Sequence, residues 1–348
     1  MSKVKNIGII AATFTGNHGA EAMIEACLGH LGSLYPGARF HVISYAPKAD
    51  LKWITERHAS EVGEGRLLVH SCKPFELLAR WLPLSLALRV LPLLRGEAPR
   101  SSLAGIRKLL ALDFVVDLAG VSFMDGREIF LPFNVLTLFP FLLHRVPVFK
   151  LSQALGPFKG PVNRALARAV LGRVELTVAR GRLTYRHLET LCMDPARILY
   201  APDTTFGLGV HGDEGTRDRD VVILPSSLVA KKNPSYESLM AETVRLLDGA
   251  GISVTLLAHS WKEGSHARRN NDFPLCERIF QRAACPNVRL LGPGLSAREL
   301  KHVIAAHKVL VGSRFHGMIA ALDVGTPPLV LGWGHKYAEV LKEFDLES

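Results

Sequence analysis

Near the C-terminus an apolar run closes on Gly312-Ser313-Arg314-Phe315-His316-Gly317, which sets a guanidinium and an imidazole two residues apart. Arg offers a fixed charge and a planar fork of donors, and His changes charge near neutral pH, so the pair can bind an anion and move a proton. The run 309–311 reads as a strand, and the small-residue stretch after it reads as a helix. Arg314 and His316 then stand at a strand's C-terminal mouth beside the first amides of a helix, where phosphate is the natural guest. Such residues can also serve structure alone, the Arg by pairing with a nearby carboxylate and the His by filling a partly buried position.

Polar residues recur at other strand ends. Residues 4–12 read as a buried strand, followed by Thr13-Phe14-Thr15-Gly16-Asn17-His18-Gly19 and a helix over 20–31, so Asn17, His18 and Glu21 cluster at the cleft face of the first sheet. Strands over 39–45, 66–70, 113–118, 146–151, 174–178 and 198–201 run into turns that carry a loop over 119–126, Gln153, Arg180 and Asp203. Gln153 also suits a turn-stabilising amide, Arg180 an ion-pair partner and Asp203 a turn or helix cap. No Walker-type P-loop occurs and no GxGxxG joins a strand to a helix, so ordinary dinucleotide or P-loop binding has no support. His259, His266 and Asp272 surround a basic loop over 261–271 that can contact substrate or close the cleft, but their spacing defines no metal site, and no metal is expected.

These residues need a scaffold that repeats strand, loop and helix. A Gly-rich, charged stretch over 209–220 reads as a linker between domains at 1–208 and 221–348. Beyond it, strands over 221–224, 252–257, 288–291, 309–311 and 328–331 alternate with helices over 236–247, 274–284 and 297–305. Alternation of this kind indicates a mostly parallel sheet with helices on its faces, hence an α/β fold of two Rossmann-like domains facing across a cleft. A helix over 129–144, interrupted by prolines, and one over 160–172 complete the first half. The segment 75–94 is apolar, basic and Trp-bearing, and Pro83 and Pro92 break it into short helices that lie against protein or against a membrane interface.

The totals agree with a globular chain. Its 348 residues are 48% hydrophobic and 21% charged, enough for two cores, and 42 Lys and Arg against 32 Asp and Glu give a formal +10. That balance suits anionic ligands, acidic glycans or a phospholipid surface. There is no RNA-binding aromatic signature or zinc-finger spacing, so nucleic acid is not an expected partner. Five cysteines without a CxxC pair suggest neither a disulfide framework nor a thiolate site, which fits a reducing cytoplasm. The short apolar run after Lys3 and Lys5 flows into a turn and reads as a strand rather than a signal peptide, and no stretch of about 18 apolar residues is unbroken.

Taken in order, the segments GNHGAEA from Gly16, the Asp113 strand with its Gly120 loop, SQALGP from Ser152, Arg180, APD from Ala201 and SRFHG from Ser313 with Gly334-His335-Lys336 resemble the polysaccharide pyruvyl transferase family. The resemblance implies an architecture similar to GT-B glycosyltransferases and transfer of pyruvate from phosphoenolpyruvate to sugar hydroxyls as a ketal. It needs no further cofactor. Phe315 replaces the central aliphatic residue of the family's Arg-Leu-His pattern, Ala20 stands where the family has Asp, and Ala119-Gly120-Val121 replaces a glycine-richer loop.

On this reading Arg314 and Lys336 meet the donor's phosphate and carboxylate, and His316 is the general acid. Glu21 or Asp203 is the base or an acceptor ligand, and His335, Asn17, Gln153 and Arg180 complete the substrate contacts. Lys336 also suits a solvated helix-start charge. The first domain is the acceptor side and the second the phosphoenolpyruvate side. The expected acceptor is a glycan or lipid-linked glycan, reached from the cytoplasm with peripheral contact to the inner membrane face. A nucleotide-sugar glycosyltransferase and a noncatalytic glycan-binding relative remain as other readings of the same fold.

Overall fold

The computed structural model describes residues 4–90, 101–210, 217–261, 271–332 and 335–346, without the side chains of 101–103, 335 and 336. Two compact units result, Met1–Thr13 with Cys27–Thr204 and Phe14–Ala26 with Thr205–Ser348. The division differs from the expected cut at 208 because Phe14, Met23 and Ile24 are buried and Ala22 belongs to a core cluster with Val222, Leu300 and Leu310. Of the expected linker, Val210 is buried in that same cluster, the last strand-forming residues start at Arg219, and 211–216 lie outside the described residues.

The first unit holds β1 (Asn6–Ile10), β2 (Arg39–Ser44), β3 (Leu67–Ser71), β4 (Phe114–Asp117), β5 (Val121–Ser122), β6 (Val148–Leu155), β7 (Leu176–Arg180) and β8 (Ile198–Ala201). They pair in parallel in the order β3-β2-β1-β4-β6-β7-β8, with β5 alongside β6. Central β1 and β4 are apolar on both faces, with Ile7, Ile9, Ile10 and Val115 fully buried, as a parallel sheet covered by helices requires. The strand expected over 146–151 runs on to Leu155 because an irregularity between Lys150 and Gln153, with Ser152 at φ 49°, lets pairing with β7 resume.

Two helical segments depart from expectation through their prolines. Residues 74–90 are one continuous helical run in which a π turn, Leu77–Trp81, leads into the helix Leu82–Val90. Pro83 is the second residue of that last helix, directly after the π turn, and the helical path continues through it. The helix Leu131–Leu143 likewise continues through Pro140. It packs against the 74–90 run, with Trp81 edge-on to Phe141 and His144 Nε2 2.9 Å from the carbonyl of Ser85.

The second unit contains β9 (Arg219–Leu224), β10 (Val254–Leu256), β11 (Val288–Leu290), β12 (His307–Gly312) and β13 (Pro328–Val330), parallel in the order β11-β10-β9-β12-β13. In both units the first strand lies inside the sheet, the next two extend to one side and the fourth crosses to the other. This places switch points between β1 and β4 and between β9 and β12. Ligands of open α/β sheets bind at such points, beyond the carboxyl ends of the strands.

Candidate active site

The mouth of β12 is organised around Asp272, a fully buried carboxylate just before the helix Phe273–Ala283. It accepts hydrogen bonds from Ser227 N at 2.9 Å, Ser260 N at 3.1 Å and Arg314 Nε at 2.8 Å, and a further one from Arg314 Nη2. One carboxylate thus ties together the loops that follow β9, β10 and β12. Arg314 is the N-cap residue of the helix Phe315–Asp323, and its Nη2 also reaches Ser227 Oγ at 3.2 Å. The carboxylate partner that sequence reasoning left open for Arg314 is therefore Asp272. Nη1 is the guanidinium nitrogen without a bond to it.

Behind Arg314 lies a group of imidazoles. The helix His18–Leu34 starts with Asn17 Oδ1 accepting from Gly19 N at 3.0 Å, so Asn17 caps the helix. His18 Nδ1 sits 2.9 Å from Glu21 Oε2, while Glu21 Oε1 accepts from Ala297 N at 3.0 Å. The His259 ring stands edge-on to His18 at 5.9 Å and stacks with His316 at 6.4 Å between centroids. Burial holds His259 well below the ordinary imidazole range, with the charges of His18, His316 and Arg314 acting the same way, so His259 is neutral. Burial also raises the Glu21 carboxyl, against the lowering effects of His18 and the Ala297 amide.

His259 Nδ1 and Ser226 Oγ are buried and make no hydrogen bond among the described residues. A cavity of about 10 Å³ beneath the rings, lined by His18, Gly19, Thr205, His259, Lys301 and His316, has room for at most one water. Among the described residues no three His, Cys, Asp or Glu are placed to hold a metal ion.

Gln153, Arg180 and Asp203 belong to the first unit. Gln153 is fully buried, accepting from Ser122 Oγ at 2.7 Å and donating to the Asp117 carbonyl at 2.8 Å and to Asp117 Oδ1 at 2.9 Å. Lys150 pairs with the other oxygen of Asp117. Arg180 Nη1 donates to Asp203 Oδ2 at 2.8 Å and its Nη2 to the Gly120 carbonyl at 3.0 Å. These networks fix the 119–124 loop, which borders a pocket of about 220 Å³ at the β1/β4 switch point, lined by Ala11, Gly120, Phe123, Arg127, Phe133 and Asn134 among others.

The side chains of His335 and Lys336 lie outside the described residues, as does His266. The structure adds His18, His259 and Asp272 to the site. Only the three-residue spacing from His18 to Glu21 at a helix start hinted at the first in the sequence. Asp272 reaches Arg314 across 42 residues, and no local pattern carries such a contact.

The geometry has relatives. The amylovoran biosynthesis protein AmsJ of Erwinia amylovora is 20% identical over 260 residues, 69% of this chain; the chain spans 61% of AmsJ. A UDP-N-acetylglucosamine 2-epimerase superposes at a TM-score of 0.59 with 15% identity over 98% of this chain and 82% of its own. Anabaena HepE, solved with UDP-glucose, superposes at 0.54 with 12% identity over 96% of this chain and 82% of its own. These solved relatives are GT-B-like, and they share the fold of two Rossmann-like units. Residues 17–335 match the polysaccharide pyruvyl transferase family, a span that takes in both Glu21 and the Arg314–His316 pair. The chain is a member of the polysaccharide pyruvyl transferase family.

Proposed function

We propose that the protein transfers a pyruvyl group from phosphoenolpyruvate to two hydroxyls of a cell-surface polysaccharide or its precursor, releasing phosphate. The observation that carries this reading is the stack of His316 on neutral His259 beside the Arg314–Asp272 pair, at the switch point of the second unit. The donor's phosphate meets Arg314 Nη1 and the first turn of the helix Phe315–Asp323.

His316 protonates the methylene carbon, converting it to a methyl group and leaving an oxocarbenium-like centre at the adjacent carbon. A sugar hydroxyl attacks that centre and returns a proton to His316, phosphate departs, and the second hydroxyl closes the ketal as its proton leaves with the phosphate. Because burial keeps the His259 imidazole neutral, it offers His316 a wall without a competing positive charge. Glu21 acts through His18, which it orients. The acceptor ring occupies the 220 Å³ pocket of the first unit, where Phe133 offers a ring face and Arg127 and Asn134 offer donors. Arg180 and Asp203 hold that pocket's Gly120 loop in place.

Incubation of the full chain with phosphoenolpyruvate and a panel of lipid-linked and nucleotide-linked glycans tests the reading. Inorganic phosphate and a glycan heavier by one ketal are expected. Release of a nucleotide instead, or glycan binding without consumption of phosphoenolpyruvate, overturns it. His316→Ala should lower turnover by about 10²- to 10⁴-fold with donor binding retained. Arg314→Lys keeps the charge but loses the fork, and should weaken donor binding.

A further inference from the structure

The 74–90 run buries one side, with Leu77, Trp81, Ser85 and Leu88 in the core, yet its outward side is also apolar. Phe75 is 79% exposed, Leu78 56% and Val90 70%, with exposed Ala79, Pro83 and Leu86 between them at helical spacing. A helix on a water-facing surface normally turns polar residues outward. Here the outward charges are cationic: Lys73, Arg80 and Arg89 are exposed, while Glu76 is partly covered and bonded to Ser71 Oγ and Lys73 N.

The apolar strip continues onto a neighbouring element. The contacts of Trp81 with Phe141 and of Ser85 with His144 make the 74–90 run and the helix Leu131–Leu143 point the same way, so Phe75 lies toward the Phe130 end. Tyr45, itself exposed, bridges the two: its ring meets Phe133 edge-on at 5.9 Å, and the preceding carbonyl, of Ser44, accepts from Cys72 N at 2.7 Å. Ile129, 85% exposed, and Phe130 extend the strip with exposed Arg127 and Glu128 beside them, the carboxylate of Glu128 accepting from Gly126 N at 2.8 Å, and Arg127, Phe130 and Phe133 also line the 220 Å³ pocket.

We propose that this strip, from Lys73 to Val90 with Ile129 and Phe130, docks the protein in the plane of an anionic phospholipid bilayer. The apolar side chains enter the acyl boundary and Lys73, Arg80, Arg89 and Arg127 meet lipid phosphates. Charge complementarity selects this occupant. A second copy packed through the same face would set its cations against their own kind. None of the helices among the described residues is long and apolar enough to cross a membrane, so the contact lies on the surface. Docking does not depend on the transferase reading; the one corollary that does is that the acceptor reaches the pocket on a lipid carrier.

Sedimentation of the full chain with phosphatidylglycerol–phosphatidylcholine vesicles, against pure phosphatidylcholine vesicles, tests docking without any turnover measurement. Binding to the anionic vesicles and little to the neutral ones is expected. The exposed-site triple variant Phe75→Ser, Leu78→Gln and Ile129→Ser should cut binding at least about tenfold with an unchanged melting curve. No binding to anionic vesicles, or binding the triple variant leaves intact, overturns docking. So does a dimer in solution that these substitutions dissociate. Turnover of a soluble acceptor by a chain that ignores vesicles would sink docking while leaving pyruvyl transfer standing.

Discussion

A β-carbon built on Gly19 would fall 2.2 Å from Nδ1 of His316, well inside any real contact. The helix start at Gly19 is thus a wall against which the imidazole rests, and only glycine leaves the ring its place. Gly19→Ala should displace His316 and cost about 10²-fold in turnover while the chain stays folded, checked by initial rates beside a melting curve. Gly317→Ala is the contrast: its added carbon would meet Leu224 Cδ2 at 2.8 Å, the far end of a flexible side chain, and the effect should be smaller. Arg314 and His316 were legible from their types and from the strand that delivers them. Asp272 and His259 were visible only as residues around a basic loop suited to substrate contact or cleft closure, since their roles come from contacts between chain segments far apart in sequence.

Among the elements, β2 and β3 carry a feature that pH should expose. His41 Nδ1 lies 2.9 Å from His70 Nε2, and burial first, with nearby cations second, pushes both imidazoles down from 6.5 to about 4. Between those values the unfolded chain binds protons that the folded chain refuses. Stability should therefore be full above about pH 6.5 and decline as pH falls toward 4, with buried His259 pulling the same way. Melting temperatures across pH 4.5–7.5 check the sign, and His70→Gln should flatten the slope. Apolar periodicity gave β2 and β3 nearly to the residue. The break expected at Pro83 is absent, because the helical path runs on from a π turn just upstream, Leu77–Trp81, into the helix that holds it. It also stopped β6 too early, since nothing local announces that pairing resumes after the irregularity at Ser152.

At the scale of the molecule, the alternation of strands and helices was enough to read two parallel sheets, and the first four strands of each take the same order. Which stretch joins which unit was not legible. The bond from Glu21 to Ala297 spans 276 residues, and it rests on packing that no window of sequence contains. Phe14–Ala26 nonetheless belongs to the second unit and brings it His18, Glu21 and the buried Phe14 and Ile24. A gene truncated to encode Thr205 onward would therefore yield a unit with an open wound: the Ala297 helix start would lose its carboxylate and His316 its backstop. Such a fragment should melt broadly by circular dichroism and sharpen when a synthetic peptide of residues 14–26 is added. Grafting this unit onto another protein, or exchanging it between relatives, would require carrying two separate pieces of chain, and recombination breakpoints placed at the obvious junction would sever the chemistry from its support.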